Sequence, residues 1–527
     1  MNKATLIIAA SMLASRVLGI LREMLLARAA GVTAEKNALD LAFLIPDILN
    51  HVVSTGFLSI VFIPIFFGYK AKDDEEGSWK FFSNVLNTLG IVFLALIIPS
   101  FIWMRELILL FTSAADLPIE ILDRATYFGR IILPGQLFIF AGSFLVAVQH
   151  TRKQFTIPSL TGVIYNLAII IGGSIGRDHG LEGFAWGVPI GAFIGFFVLQ
   201  IIGAYRGGVH YHFILDPSHP DILRYVKMMI PMSFGVGSMF AFEFIIRSFG
   251  GIFGSSGISS LNYAYRVMYT LVAVFGFSVG VSSYPDMARL VKENKLSELN
   301  NKIWSSLSRM FCILVPAVIT IWALSFPAVR ILFERGAFVR ETTEYVAKLL
   351  HWYLPASLGL CLQAVLVRSF YAKEKMWTPT LINTGIFLLT IPAYLFFAED
   401  FGIYVIPIVG AAGAILQVTT MVFIWARGTG TEGMEHALWN MGRALASFAT
   451  MIFVAIVIEN ISYDFVRKAS LFPLLIYSAF IGILLFPTSL ALQKAIGSDD
   501  AADILNELTG KILRKLHLSK NNCRLIT

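Results

Sequence analysis

Hydrophobic residues run through this chain in long blocks separated by short polar connections. Blocks of about 20 apolar residues are long enough to cross a bilayer as helices. Hydropathy predicts about fourteen of them, near residues 4–30, 39–67, 83–104, 125–148, 156–175, 183–204, 224–248, 258–284, 304–324, 343–370, 378–398, 402–425, 438–458 and 471–492. The first two organise the rest. They carry polar groups that a purely structural span would avoid: Arg16, Arg22 and Glu23 in one, Asp47, Asn50 and His51 in the other. A charge at membrane depth costs at least a few kcal/mol and so meets a partner or water. Arg16 and Arg22 stand six residues apart, roughly 9 Å along a helix axis and about 120° around it. Two readings follow. Arg22 or Arg28 pairs with Glu23 and the rest snorkel, or the arginines line a wet, cationic cavity between helices. Pro46 interrupts the second span and releases a backbone carbonyl there.

Composition narrows the class. Of 527 residues, 57% are hydrophobic and 14% charged, and mean hydropathy is +0.73. A soluble protein of this length carries roughly 25% charged residues, so the chain reads as an all-α polytopic membrane protein. The start, MNKATLIIAASMLASR, has an Arg inside its apolar run and merges into a longer helix, so the first span is expected to stay. Cys312, Cys361 and Cys523 are too scattered for a disulfide framework or a metal site. The net charge of +7 suits loops facing anionic lipid. No basic groove with interleaved aromatics points to nucleic acid.

The loops set an orientation. Lys70, Lys72, Lys80, Arg152, Lys153, Arg206, Arg224, Lys227, Arg289, Lys292, Lys295, Lys302, Lys373, Lys375, Arg427 and a basic tail fall on one side. Fewer cationic residues, including Arg28, Lys36, Arg105, Arg124, Arg335 and Arg340, fall on the other. The bias places both termini in the cytoplasm.

A repeat is visible. Pro64, Pro134 and Pro158 recur as Pro285, Pro355 and Pro379, each 221 residues later. HTRKQFTIPSL (150–160) matches FYAKEKMWTPTL (370–381) in context. Six spans separate matching points, and an even number preserves direction, so the halves are expected to be parallel repeats about the membrane normal. This divides the chain into a six-helix lobe at 1–215, a second at 216–430, an additional helix pair at 431–495 and a basic tail at 496–527. In the tail, Ile504, Leu505, Leu508, Ile512 and Leu516 share a face beside Lys511, Arg514 and Lys515. That pattern predicts a helix on the cytoplasmic membrane surface, the other reading being a frayed polar tail.

In the second half, Glu243 and Arg247 are four apart and can pair on one helix face. Arg266 lies in the next span. Arg368 sits near a span end and is expected to snorkel. Basic groups outnumber acidic ones among these residues, which suggests an anionic passenger suited to guanidinium forks. There is no Walker loop. His210 and His212 read as solvated, GGIFG (250–254) as close helix approach, and LFERGAF (332–338) as an outside turn.

Taken together, ASRVLGILRE (14–23), IPDILN (45–50), TGFLSIVFIPIF (55–66), NYAYRVM (262–268), LFERGAF and FYAKEKMWTP (370–379) resemble the MviN/MurJ family, in order over most of residues 10–430. That family comprises bacterial flippases for lipid II, the undecaprenyl-pyrophosphate-linked peptidoglycan precursor, within the broad superfamily that also holds multidrug extruders and polysaccharide-lipid flippases. The resemblance implies fourteen spans, with the family's cavity arginines falling on Arg16, Arg22 and Arg266. The chain departs from the pattern at Asn37 and Asn50, where many members carry Asp and Arg, and at Thr55 in place of Glu. Tyr265 and Tyr269 flank Arg266 where acidic residues are common. Charges of both signs are lost, and a lost ion pair can be neutral overall.

The expectation is an inner-membrane flippase working by alternating access, not an enzyme. The substrate-binding residues would be Arg16, Arg22, Arg266, Asn37, Asn50 and Arg247, with Arg16, Arg22 and Arg266 meeting the pyrophosphate, and the 438–492 helices would offer an apolar groove to the polyprenyl tail. No cofactor or metal is expected. A Na+ or H+ gradient, with Glu243 the coupling candidate, or the membrane potential would drive it. Partners would be lipid II or a related polyprenyl-pyrophosphate glycan, membrane lipids and other cell-wall synthesis proteins. The alternatives are a flippase for another polyprenyl-linked glycan, a cation-coupled small-molecule exporter and a non-transporting scaffold.

Overall fold

The computed structural model describes residues 3–53, 57–70, 72–112, 117–152, 154–237 and 240–510. Thr55, Cys523 and the distal tail from Lys511 lie outside the described residues. All regular structure among the described residues is helical. The elements in order are α1 (Lys3–Ala30), α2 (Ala34–Ala42), α3 (Leu44–Val53), α4 (Phe57–Lys70), α5 (Glu75–Ile102), α6 (Met104–Phe111), α7 (Ile119–Ile132), α8 (Gly135–Thr151), α9 (Thr156–Ile175), α10 (Glu182–Gly191), α11 (Leu199–Arg206), α12 (Pro220–Gly237) and α13 (Ala241–Phe249). They continue as α14 (Gly257–Leu271), α15 (Phe277–Lys292), α16 (Leu296–Ala323), α17 (Ser325–Phe333), α18 (Arg340–Ala372), α19 (Trp377–Phe396), α20 (Ala398–Phe401), α21 (Val405–Thr429), α22 (Met434–Lys468) and α23 (Leu471–Ala495).

Eleven helices among the described residues are long and apolar enough to cross a membrane. They coincide with eleven of the fourteen expected spans. The other three, 4–30, 39–67 and 224–248, each include residues whose backbone or side chains lie outside the described set. Helix α1 is one 28-residue helix, Lys3–Ala30, over the first expected span. Within the second expected span, Phe43 is a turn residue that separates α2 from α3, and α4 follows beyond residues 54–56, which lie outside the described residues. Pro46 then sits in the first turn of α3, where its missing N–H is harmless. The seventh is described as α12 and α13, on either side of residues 238 and 239, which lie outside the described residues.

The 221-residue offset reappears in helix boundaries. Glu75–Ile102 corresponds to Leu296–Ala323, Thr156–Ile175 to Trp377–Phe396, and the continuous stretch Ile119–Thr151 to Arg340–Ala372, start to start and end to end. Equal spacing of the prolines therefore reflects equal helix lengths.

The chain divides into two compact units, residues 1–262 with 332–342, and residues 263–331 with 343–527. In the first, Phe62, Phe66, Phe82, Phe93, Phe128 and Trp79 are fully buried, with Phe62 5.3 Å from Phe66 between ring centres. Helices α9 and α10 approach closely because glycines line their seam: a Cβ on Gly172 would stand 2.4 Å from the Gly183 carbonyl oxygen. Small residues permit such contact without any driving force from water.

In the second unit, Trp304, Trp425 and Tyr353 are fully buried, and Phe370 stands edge-on to Trp425 at 5.1 Å. Helices α22 and α23 leave large apolar side chains such as Phe453, Phe472 and Ile483 exposed, as lipid-facing helices do. Residues 499–510 are helical. Ile504 is buried, Arg309 donates to Glu507 at 2.8 Å and Asp500 accepts from Ser308 and Asn440. This described part of the tail is thus docked on α16 and α22, where a helix on the membrane surface was expected. Ile512, Leu516, Lys511, Arg514 and Lys515 lie outside the described residues.

Candidate functional site

Helix α1 packs on α9 along a narrow polar stripe. Ser11 is buried, Ser15 lies against Gly162 and Arg22 follows seven residues later, which keeps all three on one side. Asn166 of α9 reads this stripe. Its amide donates to the Ser15 carbonyl at 3.4 Å and to Gly162 at 2.8 Å, and its Oδ1 accepts from Arg22 Nη1 at 3.1 Å. Arg22 also donates to Glu23 Oε1 at 2.8 Å. The ion pair anticipated for Arg22 is therefore made, and a second helix holds its guanidinium.

Arg16 falls off this stripe by the angle that six residues impose. It is exposed and has no ion-pair or hydrogen-bond partner among the described residues. Of the two first-span arginines, Arg16 is the one with a guanidinium free for a ligand.

Asn37 is deeply buried and its Oδ1 accepts the Ser259 backbone N–H at 2.7 Å. Ser259 lies in the first turn of α14, where N–H groups lack intrahelical partners. The side chain is occupied in holding that helix end. Asn50 is half-buried on α3, one turn from Asp47.

Arg247 is buried, with 8% exposure. Its Nη1 donates to Asp47 at 2.7 Å and its Nη2 to Glu243 at 3.4 Å. The pairing of Glu243 with Arg247 follows from their spacing; Asp47, 200 residues away in sequence, takes the shorter bond. Tyr165 of α9 lies within electrostatic reach of both Arg22 and Asp47, so α1, α3, α9 and α13 bring their polar groups to one region of the first unit.

Sequence reasoning set Lys36 in an outer loop. The structure places it inside α2, almost fully buried and 2.5 Å from Asp40 one turn on. Thr33 caps this helix by accepting from Lys36 N–H. The signal was present: Thr33 is a good N-cap and Lys36 with Asp40 is an i,i+4 pair.

Arg266 belongs to the second unit, half-buried on α14. Its neighbours Tyr265 and Tyr269 stack at 5.4 Å, and Tyr265 meets Tyr353 edge-on at 6.0 Å. Aromatic rings thus stand where the family resemblance led one to look for acids. Arg368 donates to the Ala364 carbonyl at 2.5 Å and lies over Phe277 at 5.6 Å, spending its guanidinium on its own helix and a ring. Among the described residues no group of three His, Cys, Asp or Glu side chains is placed to hold a metal ion.

Comparison with known proteins bears on the family and the fold. The chain matches the family model for the lipid II flippase MurJ over residues 26–477. It is 25% identical over 424 residues to the lipid II flippase MurJ of Burkholderia cenocepacia, covering 79% of this chain and 80% of that one. It is 26% identical over 413 residues to that of Thermosipho africanus, covering 78% and 82%. Among solved structures, a lipid II flippase MurJ in an inward closed conformation matches with a TM-score of 0.73 at 22% identity, over 92% of this chain and 98% of that one. An inward-facing multidrug resistance transporter of the MATE family matches with a TM-score of 0.64 at 14% identity, over 81% and 98%. These structural likenesses speak to the fold.

Proposed function

The chain belongs to the lipid II flippase MurJ family, and from that premise we propose that it moves lipid II from the inner to the outer leaflet of the bacterial cytoplasmic membrane, with both termini in the cytoplasm. It acts as a transporter and makes or breaks no covalent bond. The observation that carries the substrate assignment is Arg16, an arginine within a long apolar helix, exposed and unpartnered among the described residues. Such a charge is expensive unless it meets water or an anion. A guanidinium offers a planar fork of donors to pyrophosphate, and these charge-assisted bonds are about twice as strong as neutral ones. Arg22, tethered by Asn166 and Glu23, adds positive potential with a fixed position. Arg266, on α14 of the second unit, is a further arginine required for transport in this reading. Asn37 and Arg247 act differently in this reading: they hold helices through Ser259 and Asp47.

Transport proceeds by alternating access, the head group riding in the hydrated interior while the polyprenyl tail stays in lipid beside α22 and α23. The membrane potential acts on any charge that crosses, at about 2.3 kcal/mol per 100 mV. The test is complementation of a bacterial strain depleted of its own lipid II flippase. Restored growth together with lipid II reaching the outer leaflet is the expected result. Normal membrane levels of the protein with no rescue would overturn the assignment of lipid II and leave a different polyprenyl-linked glycan as the passenger.

A further inference from the structure

Helices α18 and α22, both of the second unit, are joined by two polar rungs. In one, Arg467 of α22 pairs with Glu344 of α18. In the other, His351 Nε2 stands 3.9 Å from the nearer Glu459 carboxylate oxygen. Glu344, Lys348 and His351 follow at i, i+4 and i+7 on α18, and Glu459, Tyr463 and Arg467 at i, i+4 and i+8 on α22, so each set shares one helix face. Between the rungs lies a cavity of about 120 Å³ that all six side chains line. A water needs roughly 10–15 Å³ of such space, so a polar group larger than one water has room there.

Several charged groups around this cavity are left unspent. His351 lies flat on Trp322, with 4.5 Å between ring centres, and its Nε2 is 3.2 Å from the Trp322 carbonyl oxygen. A carbonyl only accepts, so that nitrogen carries a hydrogen and donates it there. Glu459, at 3.9 Å, is beyond hydrogen-bond range of His351, and its carboxylate has no hydrogen-bond partner among the described residues. Lys348 is exposed and has no ion pair or hydrogen bond among them. Arg467 lies over the Tyr463 ring at 4.5 Å, and its buried Nε has no partner. The cavity thus offers one carboxylate and two cationic donors, and Glu459 and Arg467 are separated by roughly 12 Å along the helix axis.

Its depth points to lipid. Hydropathy ends the α22 span at residue 458, just before Glu459. Tyr345, Trp352 and Tyr463 are exposed around it, and such rings collect at head-group level. Ile456 and Ile461, on either side of Glu459, are exposed and apolar.

We propose that this cavity binds the head group of an aminophospholipid. Glu459 accepts from the ammonium, Lys348 and Arg467 donate to the phosphate through charge-assisted bonds, and the acyl chains run beside Ile456 and Ile461. A choline head group has no N–H to give Glu459, and a glycerol head group has no cation for it. In the topology proposed above the lipid comes from the outer leaflet. The site is independent of the passenger.

The test uses no lipid II, so its failure is distinct from failure of the flippase reading. Hydrogen–deuterium exchange of purified full-length wild type in nanodiscs locates the site without a variant. Phosphatidylethanolamine should slow exchange in 340–352 and 456–468 relative to phosphatidylcholine or phosphatidylglycerol, and leave 377–396 unchanged. In lipid titrations read by native mass spectrometry, phosphatidylethanolamine should bind about tenfold more tightly than phosphatidylcholine, the worth of one charge-assisted hydrogen bond. Glu459→Gln should make the two equal. Lys348→Ala should weaken phosphatidylethanolamine and phosphatidylglycerol alike. Free phosphoethanolamine at the same concentration should protect neither segment. Equal binding of the three lipids to wild type would overturn the proposal, as would protection confined to other segments or a preference that Glu459→Gln leaves intact. Protection by free phosphoethanolamine equal to that by the lipid would also overturn it and make the ligand a soluble zwitterion.

Discussion

Arg22 of α1 donates to Asn166 of α9 at 3.1 Å, and this bond fixes a first-span arginine from outside its own helix. The same amide satisfies Ser15 and Gly162. Asn166→Leu leaves a guanidinium and two carbonyls short of a donor or acceptor. A lost hydrogen bond to a charged group is worth about 1.5–3 kcal/mol, so the purified variant should melt several degrees below wild type. Arg16→Ala, which removes no bond among the described residues, should melt with wild type. Thermal unfolding of both in detergent checks the contrast.

The LFERGAF turn makes a second prediction. Gly336 has φ +59° and a Cβ there would stand 2.3 Å from the Arg28 carbonyl oxygen, while Ala337 N–H donates to that same oxygen at 3.1 Å. Gly208 has φ +74° with open space around it. Gly208→Ala therefore carries only the left-handed backbone term of about 1–2 kcal/mol. Gly336→Ala adds displacement of the α1 end and should lose more folded protein, read as the monodisperse fraction after extraction. Equal yields would contradict the contact.

The turn between α21 and α22 is held by Asn300. Its amide donates to Glu432 at 2.7 Å and to the Thr429 carbonyl at 3.0 Å, and its Oδ1 accepts from Trp425. The bond from Asn300 holds the Glu432 carboxyl below the usual carboxylate range, with its own backbone N–H adding to the effect. A carboxyl whose folded pKa is depressed stabilises the fold above its unfolded pKa, about 4.3 for Glu, and loses that contribution as pH falls through the folded value. Glu432→Gln should therefore remove part of the acid-side fall in melting temperature below about pH 4.3. Asn300→Leu should lower stability at neutral pH as well. Melting curves from pH 7 to pH 3 test both.

Much of this was legible in the sequence. The eleven long helices stand where hydropathy put them, and the Glu243–Arg247 pair follows from spacing on one helix. The partners missed are those that local periodicity cannot reach. Asp47 meets Arg247, and Asn37 meets Ser259, across about 200 residues, where only packing decides. Lys36 was misplaced for another reason: its charge outweighed the capping and pairing signals around it. Asn166 looked like an ordinary polar residue in a span, and no pattern in α9 announces that it faces Ser15 and Arg22.

The central claim is that Arg16 and Arg266 are each required for movement of the passenger. It is tested most directly by measuring lipid II at the outer leaflet of a flippase-depleted strain that carries Arg16→Ala or Arg266→Ala, with membrane protein quantified in parallel. The account predicts loss of transport in both at near wild-type protein levels, partial recovery with lysine, which lacks the planar fork, and a much smaller effect of Arg368→Ala. Normal lipid II exposure in the Arg16→Ala and Arg266→Ala strains would contradict it.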